Sequence, residues 1–202
     1  MYFSSIKIQI MKRYFLVIFT LLFLACDKDY KPRTFESVSI KSIAIDSVSI
    51  RAIHAVNNSS LYYAGSNGVV GFTKSNAKNW GEISFINETP KDTIKPNFRS
   101  IAFNGNDVFA LSIGNPALLY KLHQERKTKL VYKEVNEKVF YDSMKFFDAR
   151  NGIAMGDPIE GCLSIILTKD GGNTWTKIPC DKLPKVEDGE GAFAASNTNV
   201  KV

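Results

Sequence analysis

Residues that usually carry metal or redox chemistry are scarce in this chain. Its 202 residues include two histidines and three cysteines. Neither His54 nor His123 has a cysteine or a carboxylate at the spacing typical of metal ligands, so both are interpreted as strand or loop residues. The sequence also lacks a Gly-x-Ser-x-Gly elbow and a glycine-rich phosphate loop. We therefore expect no metal and no cofactor, and we find no nucleotide, flavin, haem or iron–sulfur motif.

Long runs of one charge are lacking as well. The formal net charge is +6, from 26 lysines and arginines against 20 aspartates and glutamates. Three of these cations, Lys7, Lys12 and Arg13, precede Cys26, and no acidic residue does, so the remainder carries 6 − 3 = +3. Nucleic-acid binding requires a concentrated basic face. The sequence therefore predicts no nucleic-acid partner.

The first 25 residues have the pattern of a secretion signal. The stretch "MKRYFLVIFTLLFLAC" begins at Met11, the expected true start, with two cations and then an unbroken apolar run. That run is short for a membrane span. Its end, "LFLAC", resembles a bacterial lipobox. We expect a signal peptide at 1–25, lipid attachment at Cys26, a tether at 26–37, and an extracytoplasmic protein anchored to a bacterial membrane, facing the periplasm or the cell surface. A plain signal peptide or an anchoring helix is the alternative.

Two cysteines remain after that segment. Cys162 and Cys180 lie symmetrically about position 171, inside the stretch "DGGN". If "DGGN" is the tip of a hairpin, the two cysteines face each other at its open end, and disulfides are permitted outside the cytoplasm. A one-residue shift in strand register would prevent the bond. A disulfide and two separate thiols both remain open.

The rest of the chain consists of short apolar runs separated by Asn, Gly, Asp and Ser, which is typical of antiparallel strands. These runs repeat over residues 50–80, 98–122 and 142–175, with a fourth copy opening at "GEGAFAASNTNV". The repeats align on Ile53, Ile101, Met144 and Ala192, which are 48, 43 and 48 residues apart, and Gly65, Gly114 and Gly156 are expected at matching places. Each unit has room for four strands, the size of a β-propeller blade. We predict an all-β partial propeller over 38–202, with three blades and the start of a fourth.

Two tryptophan-containing segments stand at the same place in their repeats. "TKDGGNTW", ending at Trp175, and "TKSNAKNW", ending at Trp80, are offset by 95 residues. Asp170 and two glycines suit a tight turn. The first copy keeps the tryptophan but lacks the acid, which indicates a structural turn between the third and fourth strands and not a catalytic loop.

The residues Thr168, Asp170, Gly172, Thr174 and Trp175 resemble the Asp-box, or BNR repeat, of sialidase-type propellers. The wider chain, with "FRSIAF", "LSIGNPALLYK" and "DSMKFFDARNGIAMGDPIEG", is similar to photosystem II stability/assembly factor-like proteins. The resemblance implies a non-catalytic binding or assembly module. It leaves two alternatives, a sialidase-type glycoside hydrolase and the oxidoreductase label that some such proteins carry. Propellers of this kind usually have six or seven blades, so we expect either a truncated gene product or a ring completed by a partner or second copy.

The repeat alignment also predicts a charged rim at one mouth of the central channel. Two residues before the aligned positions stand Arg51, Arg99, Asp142 and Glu190, and Asp157 lies in a neighbouring loop. Arginines can hold a carboxylate or phosphate, and the carboxylates can accept hydrogen bonds. The predicted partner is a protein, a glycan or another anionic ligand. The alternative is a set of structural salt bridges between blades. Residues 88–98 are expected to form an irregular connector.

Overall fold

The structure, a computed structural model, describes residues 31–202 apart from 86, 90, 91, 124–126, 188, 193–196 and 202. The expected signal peptide and Cys26 lie outside these residues. The chain divides into two units, 1–44 and 45–202. The described part of the first unit, 31–44, contains no helix or strand. Within the described ranges, no helix has the length and apolar character that crossing a membrane requires.

Three antiparallel four-stranded sheets make up the second unit, and we call them blades 1, 2 and 3. Blade 1 contains β1 Ile50–Ala55, β2 Leu61–Gly65, β3 Val69–Thr73 and β4 Gly81–Ser84. Blade 2 contains β7 Phe98–Phe103, β8 Asp107–Ser112, β9 Ala117–His123 and β10 Lys127–Glu134. Blade 3 contains β11 Tyr141–Phe146, β12 Gly152–Ile159, β13 Cys162–Thr168 and β14 Thr176–Lys177, followed by a short 3₁₀ helix, Cys180–Lys182.

Each blade is a simple meander in which consecutive strands pair. The first strands are neighbours across blades, with β7 in contact with both β1 and β11. This is the arrangement of propeller blades around an axis, and it confirms the predicted all-β, incomplete propeller. The three predicted repeats coincide with the three sheets, and the apolar runs of each sheet are buried against its neighbouring sheet or sheets.

Apolar side chains fill the two spaces between the blades. Between blades 1 and 2 the buried residues include Ala64, Val70, Ile101 and Leu118. Between blades 2 and 3 they include Phe109, Leu119, Met144 and Ile166. Each fully buried aliphatic side chain contributes about 1.5–3 kcal/mol.

The aligned positions in the first strands show how much this burial depends on a neighbouring blade. Ile101 and Met144 are 0% exposed, whereas Ile53 is 60% exposed. Ile101 and Met144 each face the preceding blade. No described sheet packs on the face of blade 1 that carries Ile53, so this side chain is exposed to solvent although it is equivalent to Ile101 and Met144 in the repeat.

The two tryptophan hairpins, residues 73–80 and 168–175, join the third and fourth strands of their blades as predicted. Asp170 Oδ1 accepts hydrogen bonds from the backbone N–H groups of Asn173 and Thr174, both at 3.0 Å, and its Oδ2 accepts one from the Thr174 hydroxyl at 2.7 Å. Burial raises the pKa of Asp170, but hydrogen bonds from Thr174, Thr168 and Asn173 outweigh it and lower the pKa to about 2.

In blade 1 a serine performs part of the same task. Ser75 Oγ accepts a hydrogen bond of 2.8 Å from the Asn79 N–H, the position equivalent to Thr174. Both hairpins use two successive residues with positive φ: 72° and 77° at Gly171 and Gly172, and 53° and 59° at Asn76 and Ala77. The two hairpins therefore share a backbone conformation although several of their side chains differ.

Trp175 fixes its hairpin to the interface with blade 2. It is 7% exposed, and its ring centroid lies 6.3 Å from that of Phe109 and 5.7 Å from that of Phe146. A Cβ on Gly172 would stand 2.3 Å from the Phe109 ring, so a glycine is required there. These contacts give the hairpin a structural role.

Three sequence predictions differ from the structure. The predicted irregular connector 88–98 holds a small hairpin, β5 Asn87–Thr89 and β6 Asp92–Ile94. Gly114 does not match Gly65 and Gly156, because pairing with the first strand places Ser112 at that position in blade 2. The described residues of the expected fourth copy, 189–192 and 197–201, form no strand. A strand needs a hydrogen-bonded neighbouring strand, whereas Ala192, Asn197 and Val200 form individual hydrogen bonds to blades 2 and 3.

Cys162 and Cys180 are joined as a disulfide, with their Cα atoms 5.5 Å apart. Cys162 begins β13 and Cys180 begins the 3₁₀ helix that follows β14. The register of this hairpin, with Ile166 opposite Lys177, brings the two cysteines to its open end.

Candidate channel-mouth site

A β-bulge occurs at the same place in the first strand of every blade. The pairing register shifts between Ile50 and Ala52, between Phe98 and Ser100, and between Tyr141 and Ser143. The extra residues are Arg51, Arg99 and Asp142. A bulge leaves one residue out of the strand pairing and redirects its side chain, which is why bulges are common beside functional sites.

The residues around each bulge are equivalent too. The Ser66 N–H donates to Ser49 O at 3.1 Å, and the Asp157 N–H donates to Phe140 O at 2.8 Å. In blade 2, the Ile113 N–H donates to Asn97 O at 3.0 Å. Each bulge is thereby held against the end of the second strand. Asp157 occupies in blade 3 the position of Ser66 in blade 1, as the matching of Gly65 with Gly156 in the sequence implies.

Arg51 and Arg99 both line one pocket between blades 1 and 2. The pocket has a volume of about 270 Å³ and is lined by Ser49, Arg51, Ser66, Asn97, Phe98, Arg99 and Ile113. Arg51 is exposed and Arg99 is half-buried. The guanidinium carbon of Arg99 lies 5.4 Å from the centre of the Phe140 ring, a cation–π contact that directs the group toward blade 3.

Asp142 is the most unusual group of this region, because a carboxylate is rarely buried without partners. It is 0% exposed, and neither of its oxygens has a hydrogen-bond partner among the described residues. Burial and the nearby Asp157 carboxylate raise the pKa of Asp142 to about 7, and Arg99 partly opposes this rise. Arg99 Nε is likewise buried without a described partner.

Arg51 and Arg99 line one pocket, and Asp142 interacts electrostatically with both Arg99 and Asp157; we call these four residues the bulge site. Glu190, the fifth predicted residue, is arranged differently. Its Oε2 accepts a hydrogen bond of 2.8 Å from the Glu187 N–H, within its own segment. The backbone of the following residues reaches the site instead, since the Ala192 N–H donates to Asp157 Oδ1 at 2.8 Å.

Sequence reasoning missed Asn197, which lies between the first strands of blades 2 and 3. Its Oδ1 accepts hydrogen bonds from the Ser100 hydroxyl at 2.5 Å and the Met144 N–H at 3.3 Å, and its Nδ2 donates to Ile101 O at 2.7 Å. Asn197 therefore ties the two strands together. The only available signal was its place in the fourth repeat, which gives no hint of these partners.

A second missed cluster locks blades 2 and 3 together farther from the bulges. Glu134 Oε2 accepts hydrogen bonds from the hydroxyls of Tyr132 and Tyr141, both at 2.8 Å, and Oε1 accepts one from Lys177. Burial raises the pKa of Glu134, but the hydrogen bonds from Lys177, Tyr132 and Tyr141 lower it overall.

Two of the tyrosines bonded to glutamates, Tyr141 and Tyr63, have almost no surface to offer a substrate, whereas Tyr132 is half-buried. Tyr141 is 0% exposed, and Tyr63, whose hydroxyl donates to Glu82 at 2.6 Å, is 2% exposed. Burial raises the pKa of both hydroxyls, and the neighbouring hydrogen bonds raise it further. A neutral, buried phenol is a poor nucleophile.

The two histidines have local partners. His123 Nδ1 contacts the Asp107 carboxylate, and Lys121 Nζ approaches the same carboxylate at 2.9 Å. His54 lines a separate cavity of about 280 Å³ with Lys145, and burial, reinforced by Lys145, lowers the pKa of His54. Among the described residues, no group of three or more His, Cys, Asp and Glu side chains could hold a metal ion.

Comparison with solved structures gives matches at low sequence identity. One is "YCF48 bound to D1 peptide", with 16% identity, a TM-score of 0.48, and 65% of this chain and 39% of that chain covered. Another is "YCF48 from Cyanidioschyzon merolae", with 12% identity, a TM-score of 0.49, and coverage of 68% and 39%. The chain thus spans about two fifths of each of these proteins. No protein-family model and no curated protein matches the chain.

Proposed function

We propose that this chain is an assembly-factor-like propeller module that binds a partner at one mouth of its channel and performs no chemistry of its own. The observation that carries the proposal is that Arg51 and Arg99, both on bulges, line one pocket. Guanidinium groups bind carboxylates and phosphates through paired hydrogen bonds. The partner's contribution is therefore an anionic group, from a protein or a glycan.

The chemistry of the neighbouring side chains supports binding over hydrolysis. A sialidase-type mechanism requires an accessible tyrosine activated by a carboxylate near the arginines. The hydrogen-bonded tyrosines Tyr141 and Tyr63 are buried, with their pKa values raised. We assign both to the packing of the sheets.

The tryptophan hairpins support membership of the Asp-box class. Asp170 accepts hydrogen bonds across its own turn, and Trp175 closes the interface beneath it. In this proposal the hairpins maintain blade shape and leave ligand recognition to the channel mouth.

We further propose that Cys26 carries a lipid that holds the module on the extracytoplasmic side of a bacterial membrane. The support is the sequence "MKRYFLVIFTLLFLAC" and the polar segment that follows it. Metabolic labelling with an alkyne fatty acid tests this proposal. Label should enter the full chain and be lost in Cys26→Ser. Equal labelling of both forms would refute the lipid anchor.

Titration of the full chain with hexanoate, followed by NMR shifts, tests the binding role. We expect Arg99→Ala and Arg51→Ala each to weaken binding about tenfold or more, since each loses a charge-assisted hydrogen bond. Lys129→Ala, an exposed cation on β10, is the matched control. Equal binding by all forms would refute the site.

An activity assay separates the enzymatic alternatives. The full chain is incubated with a panel of aryl glycosides, and its absorption spectrum is recorded. Turnover that is lost in Arg51→Ala would overturn the non-catalytic proposal in favour of a glycoside hydrolase. A bound chromophore would favour the oxidoreductase alternative.

A further inference from the structure

A second cavity lies where the first strands of the three blades end, and we call it the basic cavity. Its volume is about 280 Å³, and its described lining consists of His54, Ala102, Phe103, Lys145, Phe146 and Lys201. The bulges, in contrast, occur where β1, β7 and β11 begin. His54 and Lys145 each stand three residues after the bulge residue of their strand, which is roughly 10 Å along an extended chain. The basic cavity is therefore separate from the bulge site.

Every ionisable side chain in the described lining of this cavity is basic. His54 and Lys145 are half-buried and Lys201 is exposed, so each presents surface to a ligand. Neither lysine forms a salt bridge with a carboxylate of the described residues. A cleft lined by charges of one sign concentrates ions of the opposite sign. The cavity therefore favours an anion.

The arrangement follows from the repeat. His54, Ala102 and Lys145 are equivalent, because each directly follows one of the aligned residues of the first strands. Blade 2 lies between the other two blades, since β7 contacts both β1 and β11, and at this position it contributes only a methyl group. The small side chain leaves space between the two flanking basic groups.

The electrostatics of His54 support an anionic ligand. Burial, and then the positive charge of Lys145, lower the pKa of His54, so its imidazole is neutral at neutral pH. Lys145 and Lys201 are the other charged groups in the described lining. A bound anion would favour the imidazolium form, and its binding should therefore bring a proton onto His54.

The number of basic groups distinguishes phosphate from carboxylate. A phosphate monoester has up to two negative charges and three acceptor oxygens. Two lysines and one histidine supply a donor for each of these oxygens, and lysine binds phosphate as a compact point charge. A carboxylate has one charge and two oxygens, so it would leave one of the three groups without a partner.

Aromatic rings form the remaining wall of the cavity. Phe103 and Phe146 are half-buried, and the His54 ring centroid lies 6.2 Å from that of Phe103. Apolar surface thus stands directly beside the basic groups. This combination matches a ligand in which a phosphate is joined to an apolar group.

We propose that the basic cavity binds a phosphate monoester, whose phosphate is held by His54, Lys145 and Lys201. The organic group of the ester lies against the rings of Phe103 and Phe146. The inference goes beyond the proposed function, since it uses no residue of the bulge site. The same phosphate chemistry occurs in soluble metabolites and in the headgroup of phosphatidic acid.

Titrations of the full chain followed by NMR test the inference, with the backbone amides of Ala102 and Phe103 as local reporters. The probes are phenyl phosphate, inorganic phosphate and benzoate. We expect phenyl phosphate to bind about tenfold tighter than benzoate, because the dianion gains a further charge-assisted hydrogen bond. Inorganic phosphate should bind more weakly than phenyl phosphate, because it lacks the ring. Binding of phenyl phosphate should take up protons, as measured by calorimetry in two buffers of different ionisation enthalpy.

Variants show which groups hold the phosphate. Lys145→Ala and Lys201→Ala should each weaken the binding of phenyl phosphate about tenfold or more, whereas Lys145→Arg, which keeps the charge, should retain it within about threefold. His54→Gln should weaken binding about threefold to fivefold and abolish the proton uptake. Lys129→Ala, an exposed cation on β10, is the matched control.

A second pair of probes distinguishes the two sources of the phosphate. Dihexanoyl phosphatidic acid and glycerol 3-phosphate carry the same ester phosphate with and without acyl chains. Tighter binding of the former would assign the site to a lipid headgroup, and tighter binding of the latter would assign it to a soluble metabolite.

Three results would overturn the inference. The first is equal binding of phenyl phosphate by the wild type, Lys145→Ala and Lys201→Ala. The second is binding of benzoate as tight as that of phenyl phosphate. The third is a set of phosphate-induced shifts confined to Arg51 and Ser66, which would place the anion at the bulge site. Failure of hexanoate to bind there would leave this inference intact, so the two proposals fail independently.

Discussion

The buried carboxylate of Asp142 makes the stability of this protein depend on pH in an uncommon direction. Its pKa is raised from 3.8 to about 7 by burial and by Asp157, against the opposing effect of Arg99. A group with a raised folded pKa stabilises the fold below its unfolded pKa, and this contribution is lost as the pH rises through the folded pKa. The window therefore runs from about pH 4 to about pH 8.

The size of the effect follows from linkage. Between about pH 5 and about pH 8, a shift from 3.8 to about 7 removes roughly 2.6 kcal/mol from the free energy of unfolding. Allowing for solvent relaxation around the site, we expect about 1–2.5 kcal/mol. The asparagine of Asp142→Asn cannot ionise. The free energy of unfolding of this variant, relative to that of the wild type, should therefore rise by about 1–2.5 kcal/mol between about pH 5 and about pH 8.

Urea unfolding at about pH 5 and about pH 8 measures this difference. The control is Asp181→Asn, which makes the same substitution at an exposed carboxylate. A direct measurement is the carboxyl carbon shift of Asp142 in the wild type, which should titrate near pH 7. Parallel stability curves for wild type and Asp142→Asn, or a titration midpoint below about pH 5, would refute the reasoning.

Three further predictions concern packing. Ala77→Gly should raise the free energy of unfolding by about 1 kcal/mol, because Ala77 holds a φ of 59° that glycine adopts without strain; a loss of stability in urea unfolding would contradict this. Trp175→Ala should lower it by about 3–5 kcal/mol through loss of the contacts with Phe109, measured in the same assay, and a cost below about 1 kcal/mol would count against the assigned interface. Glu134→Ala should lower the free energy of unfolding by about 2–4 kcal/mol, because the hydroxyls of Tyr132 and Tyr141 lose their acceptor. Backbone amides near Tyr141 should then exchange hydrogen faster, and unchanged exchange would argue against the proposed lock between blades 2 and 3.

Much of the fold could be predicted from local sequence. Alternating apolar runs placed the strands, and a repeat of 43 to 48 residues placed the blades. The hairpins at Trp80 and Trp175 were recognisable because turn chemistry depends on residues within one short segment. The offset of 95 residues aligns Ala77 with Gly172, and the structure adds that both have a positive φ.

Part of the geometry of the candidate site could be predicted from the sequence. The alignment identified Arg51, Arg99 and Asp142 as equivalent, and the structure adds that each is the extra residue of a bulge. Glu190 was placed by counting along a fourth repeat, but its carboxylate bonds to its own segment. Counting fails there because the equivalence of two positions depends on strand pairing, which the described part of that repeat lacks.

What the sequence determined by itself is therefore whatever depends on near neighbours along the chain, namely strands, turns and the period of the blades. Only the tertiary structure decided which groups lose contact with water and which distant partners they meet. Asn197 joins strands about 50 and 100 residues away, and Asp142 becomes buried through packing between sheets. Hydrogen-bond partners and pKa values depend on that three-dimensional environment, because desolvation and electrostatic interactions act through space and not along the sequence.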